Sequence, residues 1–477
     1  MYANPISQVL EQADSNPDGL AIVSSSVSMS YRDLASAVRR TAARLRQSGV
    51  RPGQVVGIRA RPEWEAVLTL ALMHEGAASL HASAAVLRGY ASHIDVVLTE
   101  GSLSGEGSFV GRAIDVGPAF LESLGAVNPD IEPQPFNDND VCRVVFSSGT
   151  TGTPKGIAFT VATVRARTAS ARTTWMPADP YVCLLGIDTV SGFITFAWCM
   201  LNGAPWVMPG GAATQVSVLS AISARSIKTS PAQLAELLDA IETLEDSPPL
   251  ALEVAMVTGA SLSVALAQRC RRVLGIDAQY LYGSTEAGAM TLGTVDFEHP
   301  ERVGTLIDPS RLRIVSEPDR VLCGVGIVGE IECRTAWGVT RYWNGGDADS
   351  AFDDGWFYPG DRGSLDEHDV LTLAGRTDDV VNAGGIKTDL AQLDVVLAEI
   401  DLFSDVASFS FIESSGLRAI GIVYVARGEP DPTVVMRAVR DRLPGLTVRR
   451  IVRVGELPRT SRGKVSRTLL AQWGETP

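Results

Sequence analysis

Between positions 147 and 156 the chain reads Ser-Ser-Gly-Thr-Thr-Gly-Thr-Pro-Lys-Gly, directly after the apolar run from Val141 to Phe146. Gly149, Gly152 and Gly156 permit backbone angles and close ligand approach that a Cβ would block, while Ser147, Ser148, Thr150, Thr151 and Thr153 bring hydroxyl donors. Lys155 supplies a positive charge. A strand opening into such a loop turns amides and hydroxyls toward an anion, so the stretch is expected to cradle phosphate. It is not a Walker A loop: Pro154 stands where that motif needs its second glycine, and Gly156 follows the lysine in place of Ser or Thr.

The loop resembles the signature loop of the adenylate-forming superfamily, which comprises acyl-CoA synthetases, peptide-synthetase adenylation domains and firefly-type luciferases. The resemblance continues over nearly the whole chain. Tyr282-Gly283-Ser284-Thr285-Glu286 resembles the family pattern YGxTE. In that setting Tyr282 offers a flat face to a purine, Thr285 donates to a phosphoryl oxygen and Glu286 holds Mg²⁺. Thr258-Gly259-Ala260 closes an apolar run that in the family helps form the adenine pocket and the floor of the acyl pocket. Gly355 to Asp361 is similar to the family segment DGWFxTGD, with Pro359 replacing its threonine, and implies that the Asp361 carboxylate accepts hydrogen bonds from the ribose hydroxyls. Gly375-Arg376-Thr377-Asp378-Asp379 is similar to the family's domain boundary, which puts Arg376 on the nucleotide and makes Asp378 the hinge. Pro458 to Arg467 resembles PxxxxGKxxR, and Lys464 then takes the part of the catalytic lysine. Gly384-Gly385 lies where relatives place a loop against the pantetheine arm, and as a pair of glycines it reads equally as a turn.

The chemistry this implies has two steps. A carboxylate attacks the α-phosphorus of ATP, giving acyl-AMP and pyrophosphate, and a second nucleophile, usually the thiol of CoA, then displaces AMP. The resemblance therefore implies ATP, Mg²⁺ and CoA, with a small carboxylic acid as substrate. Transfer to an acyl or peptidyl carrier protein, or to an amine, is the alternative. The acid's pocket is expected along Leu184 to Phe193, where acyl-CoA synthetases usually show an aromatic-histidine pair and this chain has Asp188-Thr189. Peptide-synthetase adenylation domains use an aspartate hereabouts for a substrate ammonium. Asp188 reads equally as a cap for the helix that follows.

These residues need rigid elements to carry them. Leu34, Val38 and Leu45 recur at helical spacing between Tyr31 and Ser48, a strand is expected over 54–58, and a further helix over 64–74. Alternating helices and strands predict an α/β architecture: a large N-terminal domain of β-sheets layered with helices over 1–374, and a small mobile α+β domain over 375–477. In the latter, helices are expected over 390–400 and 432–443 and strands over 406–412 and 419–425. With 477 residues, 45% of them apolar and 20% charged, the chain has material for more than one core. The six cysteines form no CxxC pair and the five histidines are scattered, so buried reduced thiols are expected and neither a disulfide framework nor structural zinc. The net charge is −14 and the excess lies before Gly375, which argues against a nucleic-acid partner. The absence of a transmembrane-length apolar run and of a signal-like start makes a cytoplasmic location the expectation.

Overall fold

The computed structural model describes residues 4–101, 111–147, 155–174, 180–208, 210–244, 248–260, 262–316, 319–334, 339–343, 351–377, 380–383, 386–412, 418–443, 446–459, 465–467 and 469–470. They gather into two compact units, one from Met1–Gly149, Thr153–Val295 and Arg334–Phe357, the other chiefly from Asp296–Cys333 and Tyr358–Pro477.

The first unit contains a six-stranded sheet in the order β4-β3-β1-β2-β5-β6, where β1 is Val55–Arg59, β2 Ala78–His81, β3 Val96–Thr99, β4 Arg112–Asp115, β5 Val141–Ser147 and β6 Lys155–Thr160. All neighbours are parallel except β5 and β6, which pair antiparallel with Ser147 opposite Lys155. The expected phosphate loop is thus the tip of a hairpin, and residues 148–154 lie outside the described residues. A second run of strands, β7 (Tyr181–Cys183), β8 (Ser226–Thr229), β9 (Val254–Thr258) and β10 (Ala278–Ser284), is parallel, and β11 (Gly288–Thr294) returns antiparallel to β10. Parallel strands buried on both faces read as near-continuous apolar runs, which is why Val96–Thr99 and Ser226–Thr229 are buried throughout.

Helices form where spacing and caps agree. Helix α1 (Tyr31–Gln47) opens with a capping box in which Ser30 and Asp33 satisfy each other's backbone amides, and its buried face carries Leu34, Val38 and Leu45 as the spacing predicts. Helix α2 (Pro62–His74) is buried from Trp64 to His74. Because side chains four apart share a helix face, its buried polar residues Glu65 and Thr69 point the same way. Helix α3 (Val190–Asn202) is capped by Thr189, whose hydroxyl accepts from the Gly192 amide at 3.0 Å, and Gly203 at φ 68° ends it. Helix α4 (Pro231–Thr243) begins with a second capping box, Ser230 with Gln233.

In the second unit Arg302–Leu306 pairs with Val370–Arg376, which pairs with Asp361–Leu365. Further along, Phe403–Ile412, Arg418–Ala426 and Val448–Arg453 form a three-stranded sheet. Leu390, Leu393 and Leu397 of α5 (Leu390–Ala398) and Val435 and Val439 of α6 (Pro432–Arg442) share a core with Ile420 and Ile422 from that sheet. The α/β architecture expected of the chain is the one observed. The six cysteines form no disulfide with one another, five of them being buried as expected and Cys323 half-buried, and burial pushes the Cys142 thiol up to about 12. Among the described residues no helix is long and apolar enough to cross a membrane.

One glycine is fixed by packing at the start of α3. A Cβ at Gly192 would lie 1.9 Å from the Gly186 carbonyl oxygen and 2.5 Å from that of Leu185. Gly192→Ala is expected to destabilise the protein by about 1–3 kcal/mol through overpacking, read as a lowered urea midpoint with an unchanged slope; an unaltered midpoint would refute the tight seat.

Candidate active site

In open α/β sheets, ligands collect outside the carboxyl ends of parallel strands. Here β5 ends at Ser147, β9 at Thr258 and β10 at Ser284, so three of the sequence motifs leave the first unit's sheets by such ends. Glu286 follows β10 directly and is 5% exposed. A carboxylate so buried must be hydrogen-bonded, and the Tyr342 hydroxyl donates to its Oε1 at 3.1 Å. The ring of the same tyrosine lies 5.2 Å from Lys155 Nζ, within cation–π reach. Tyr342 therefore joins the lysine of the first motif to the carboxylate of the second.

Arg167, on the helix Val161–Thr174 that follows β6, makes a second link. Its Nη2 donates to the carbonyl oxygens of Thr285 and Glu286 at 3.0 and 2.8 Å, and its guanidinium stands 4.3 Å from the Phe159 ring. The turn from Ser284 to Ala287 is closed by the Ala287 amide donating to the Ser284 hydroxyl at 3.0 Å. Gly283 is held to glycine by the hairpin itself, since a Cβ there would come 2.2 Å from the Gly288 oxygen, and Tyr282 beside it is buried. Thr258 donates to the Leu281 carbonyl at 2.9 Å, tying the ends of β9 and β10 together, while Gly259 turns with φ +89° and has open space around it. Ala260 is half-buried beside it. Gly156 has a packing role rather than the ligand-approach role expected of it: a Cβ would meet Phe146 at 3.1 Å and Trp343 at 3.2 Å.

Mg²⁺ is characteristically held by one or two carboxylates together with substrate phosphates and waters. Glu286 fits that pattern as a single buried carboxylate whose Oε2 takes no hydrogen bond among the described residues.

In the second unit Asp361 and Arg376 are cross-strand partners. Arg376 donates to Asp361 Oδ1 at 2.6 Å and to the Pro359 carbonyl at 2.8 Å, so the two residues expected at the nucleotide are brought together. Asp378, Gly384, Gly385 and Lys464 lie outside the described residues, as do Ser148, Gly149, Thr150, Thr151, Gly152 and Thr153. The segment carrying Lys464 is flanked by Arg459 and Val465, which form a bridge, and by Arg467, which donates to the Ser408 carbonyl at 3.2 Å and pairs with Asp394.

At the expected acyl element Thr189 is engaged in its cap and donates to the Gly186 carbonyl at 2.9 Å, so the capping role considered for Asp188 belongs to Thr189 and Asp188 is exposed. Behind this turn lies a network that the motifs do not announce. Arg143, fully buried in β5, donates to the Ile187 carbonyl at 2.9 Å, to Ser79 at 3.2 Å and to Glu65 at 3.3 Å. The other oxygen of Glu65 meets His81 Nδ1 at 3.0 Å. Burial alone would lower the His81 pKa, but the hydrogen bond to Glu65 and the charges of Glu65 and Asp188 outweigh burial and the opposing Arg143, so it is raised. Sequence reading also passed over Tyr342, Arg167 and Lys228, the last buried in β8 and held at about 8 by that burial. A cation inside an otherwise apolar run, as at Arg143 between Val141 and Phe146, is the signal that could have marked that position.

The raised His81 pKa makes a test of this network. The charged ring adds stability that is fully present below the ordinary histidine value of 6.5 and is lost as pH climbs through the higher folded value. The unfolding free-energy gap between wild type and His81→Gln should therefore be widest near about pH 6 and shrink toward about pH 9, measured by urea titration; a pH-independent gap would count against the pairing.

The profile of the AMP-binding enzyme family matches residues 9–343. A p-hydroxybenzoic acid–AMP ligase of Mycobacterium marinum is 28% identical over 77% of this chain, which spans 52% of that protein's length. A salicylyl-CoA synthase / salicylate adenylyltransferase of a Streptomyces species is 25% identical over 96% of this chain and 92% of its own. The crystal structure of ATP-bound MatB from Rhodopseudomonas palustris superposes with a TM-score of 0.85 at 20% identity, covering 99% of both chains, and shares the fold. With the motifs leaving the carboxyl ends of its sheets and a family match over most of its length, the chain belongs to the AMP-binding, adenylate-forming enzymes.

Proposed function

We propose that the protein is an ATP-dependent acid-thiol ligase of the cytoplasm. It condenses a carboxylate with the α-phosphate of ATP, forming acyl-AMP and releasing pyrophosphate, and then passes the acyl group to the thiol of CoA, releasing AMP and a proton. The observation that carries the reading is the Tyr342 link, which keeps a cation and a buried carboxylate together beside the motifs that leave the sheets.

Chemistry of this kind needs no protein nucleophile. It needs positioning, and charge placed where the transition state becomes more negative. Glu286 would hold Mg²⁺, which when bound neutralises triphosphate charge. Lys155 and the 147–153 hydroxyls and amides bind the phosphates, Tyr282, Gly283, Gly259 and Ala260 border the adenine, and Asp361 with Arg376 receives the ribose. Thr285 donates to a phosphoryl oxygen and Thr258 borders the acid. Lys464 bridges the attacking carboxylate and the α-phosphate. The domains are 1–374 and 375–477, with rotation about Asp378 withdrawing Lys464 before Gly384 and Gly385 admit the thiol.

An aryl acid is favoured as substrate because both curated relatives described above are named for hydroxylated aromatic acids. The first is named an acid–AMP ligase, which keeps delivery to a carrier protein or an amine as the second reading. Assaying AMP release with CoA, a carrier protein and amines in turn separates these acceptors.

Two substitutions test the assignment. Lys464→Ala should abolish acid-dependent ATP–pyrophosphate exchange yet still consume supplied acyl-AMP with thiol; equal loss of both half-reactions would refute a role confined to adenylation. Glu286→Gln should lower kcat/KM for adenylation roughly a hundred- to a thousandfold, and a loss under about tenfold would remove Glu286 from the phosphate site.

A further inference from the structure

The Arg143–Glu65–His81 network has no task in adenylation as described, yet it stands at the same carboxyl edge as the phosphate hairpin. Strand β2 pairs with β5 through Ser79 opposite Arg143 and Leu80 opposite Val144, so His81 ends β2 one strand away from the segment that runs on to Ser147. The network reaches the acyl element by two routes: Arg143 binds the Ile187 carbonyl, and His81 feels the charge of Asp188.

We propose that His81 and Asp188 recognise a neutral hydroxyl group on the acid substrate, with Glu65 and Arg143 as the residues that position them. This rests on the acid-activating reading and deepens it by naming the substrate class.

Three observations carry it. Glu65 is buried and takes His81 Nδ1, which leaves Nε2 as the ring nitrogen open to a ligand; Nε2 has no hydrogen-bond partner among the described residues. The His81 side chain is 34% exposed and Asp188 is exposed, so each presents a polar group outward, whereas Glu65 and Arg143 do not. Burial works against the charged form of the His81 ring, but the hydrogen bond to Glu65 and the charges of Glu65 and Asp188 favour it, while Arg143 stands against Glu65. A rim in which a carboxylate faces such a ring gives no advantage to an ammonium group. A hydroxyl, which donates to the Asp188 carboxylate and accepts from Nε2–H, uses both partners. The seat is rigid because Arg143 is fully buried, with its guanidinium 5.1 Å from the Phe193 ring and bonded to the backbone of the turn it supports.

The test is ATP–pyrophosphate exchange by the full chain as wild type, His81→Ala and His81→Gln. The acids are paired: benzoate with its hydroxybenzoates, and hexanoate with ω-hydroxyhexanoate, with phenylalanine as the ammonium control. Wild type is expected to favour the hydroxylated member of a pair by roughly ten- to a hundredfold in kcat/KM, a hydrogen bond to a charged group being lost in the other. His81→Ala should cut that ratio to within about threefold while leaving the KM for ATP unchanged, and His81→Gln, which keeps a donor and an acceptor, should restore part of it. A purely structural role would lower both members equally. The inference is overturned if wild type shows no hydroxyl preference, if the preference survives His81→Ala, or if phenylalanine is the better substrate; in each case the acid-activating reading stands. No exchange with any acid would overturn both.

Discussion

The hydroxyl of Tyr342 is the contact on which the site in the first unit depends. Glu286 and Lys155 belong to different sheets, the first following a strand of the β7–β11 series and the second opening β6 of the six-stranded sheet. Neither sheet alone holds both charges. A buried carboxylate left without a donor would be costly, and a lysine over nothing but solvent would be free to swing away. By giving Glu286 a hydrogen bond and Lys155 an aromatic face, one side chain fixes the two groups relative to each other. Arg167 does for the backbone what Tyr342 does for the side chains. The helix after β6 thereby fastens itself to the carbonyls of the turn that carries Glu286.

The parts of this arrangement that could be read from the sequence were those encoded locally. The apolar stripe of α1 and the small-residue stretches at strand ends both depend on neighbours a few residues apart. Tyr342 and Arg167 stand 56 and 119 residues from their partner Glu286, and nothing in their immediate surroundings announces it. Gly156 shows a further limit. A glycine in a phosphate loop suggests an approaching ligand, but its open side is filled by Phe146 and Trp343, so the same residue type answers to core packing.

Arg143 illustrates how a long-range requirement hides inside a regular pattern. In the run Val141–Phe146 it reads as one tolerated charge in a strand, and an edge strand could have left it in water. The sheet places β5 between β2 and β6, so the guanidinium must find every acceptor inside the protein. Glu65 and Thr69 supply two of them because α2 lays both on one face, Ser79 comes from the adjacent strand, and the carbonyl of Ile187 is the fourth, while Nε finds no partner among the described residues. Burying such a pair contributes little net stability, but removing either partner leaves an uncompensated charge. The network is therefore better understood as a means of specifying where the Ile187 turn sits than as a stabiliser of the fold.

That distinction separates two tasks in the first unit. The proposed phosphate site rests on Tyr342 and Arg167, which bond to the turn after β10, whereas the 186–189 turn is carried by Arg143 and by the cap of Thr189. The two sets share no side chain. If the 186–189 turn borders the acid as proposed, substitutions around it are expected to change which acid is accepted without moving Glu286 or Lys155. With Thr189 occupied by the helix amide, the exposed carboxylate of Asp188 is the polar group of that turn left to meet a ligand, and its charge acts on a histidine whose Nδ1 is already bound. A turn held rigidly from behind by a buried cation, and polar toward its open side, has the construction expected of a surface that sorts substrates.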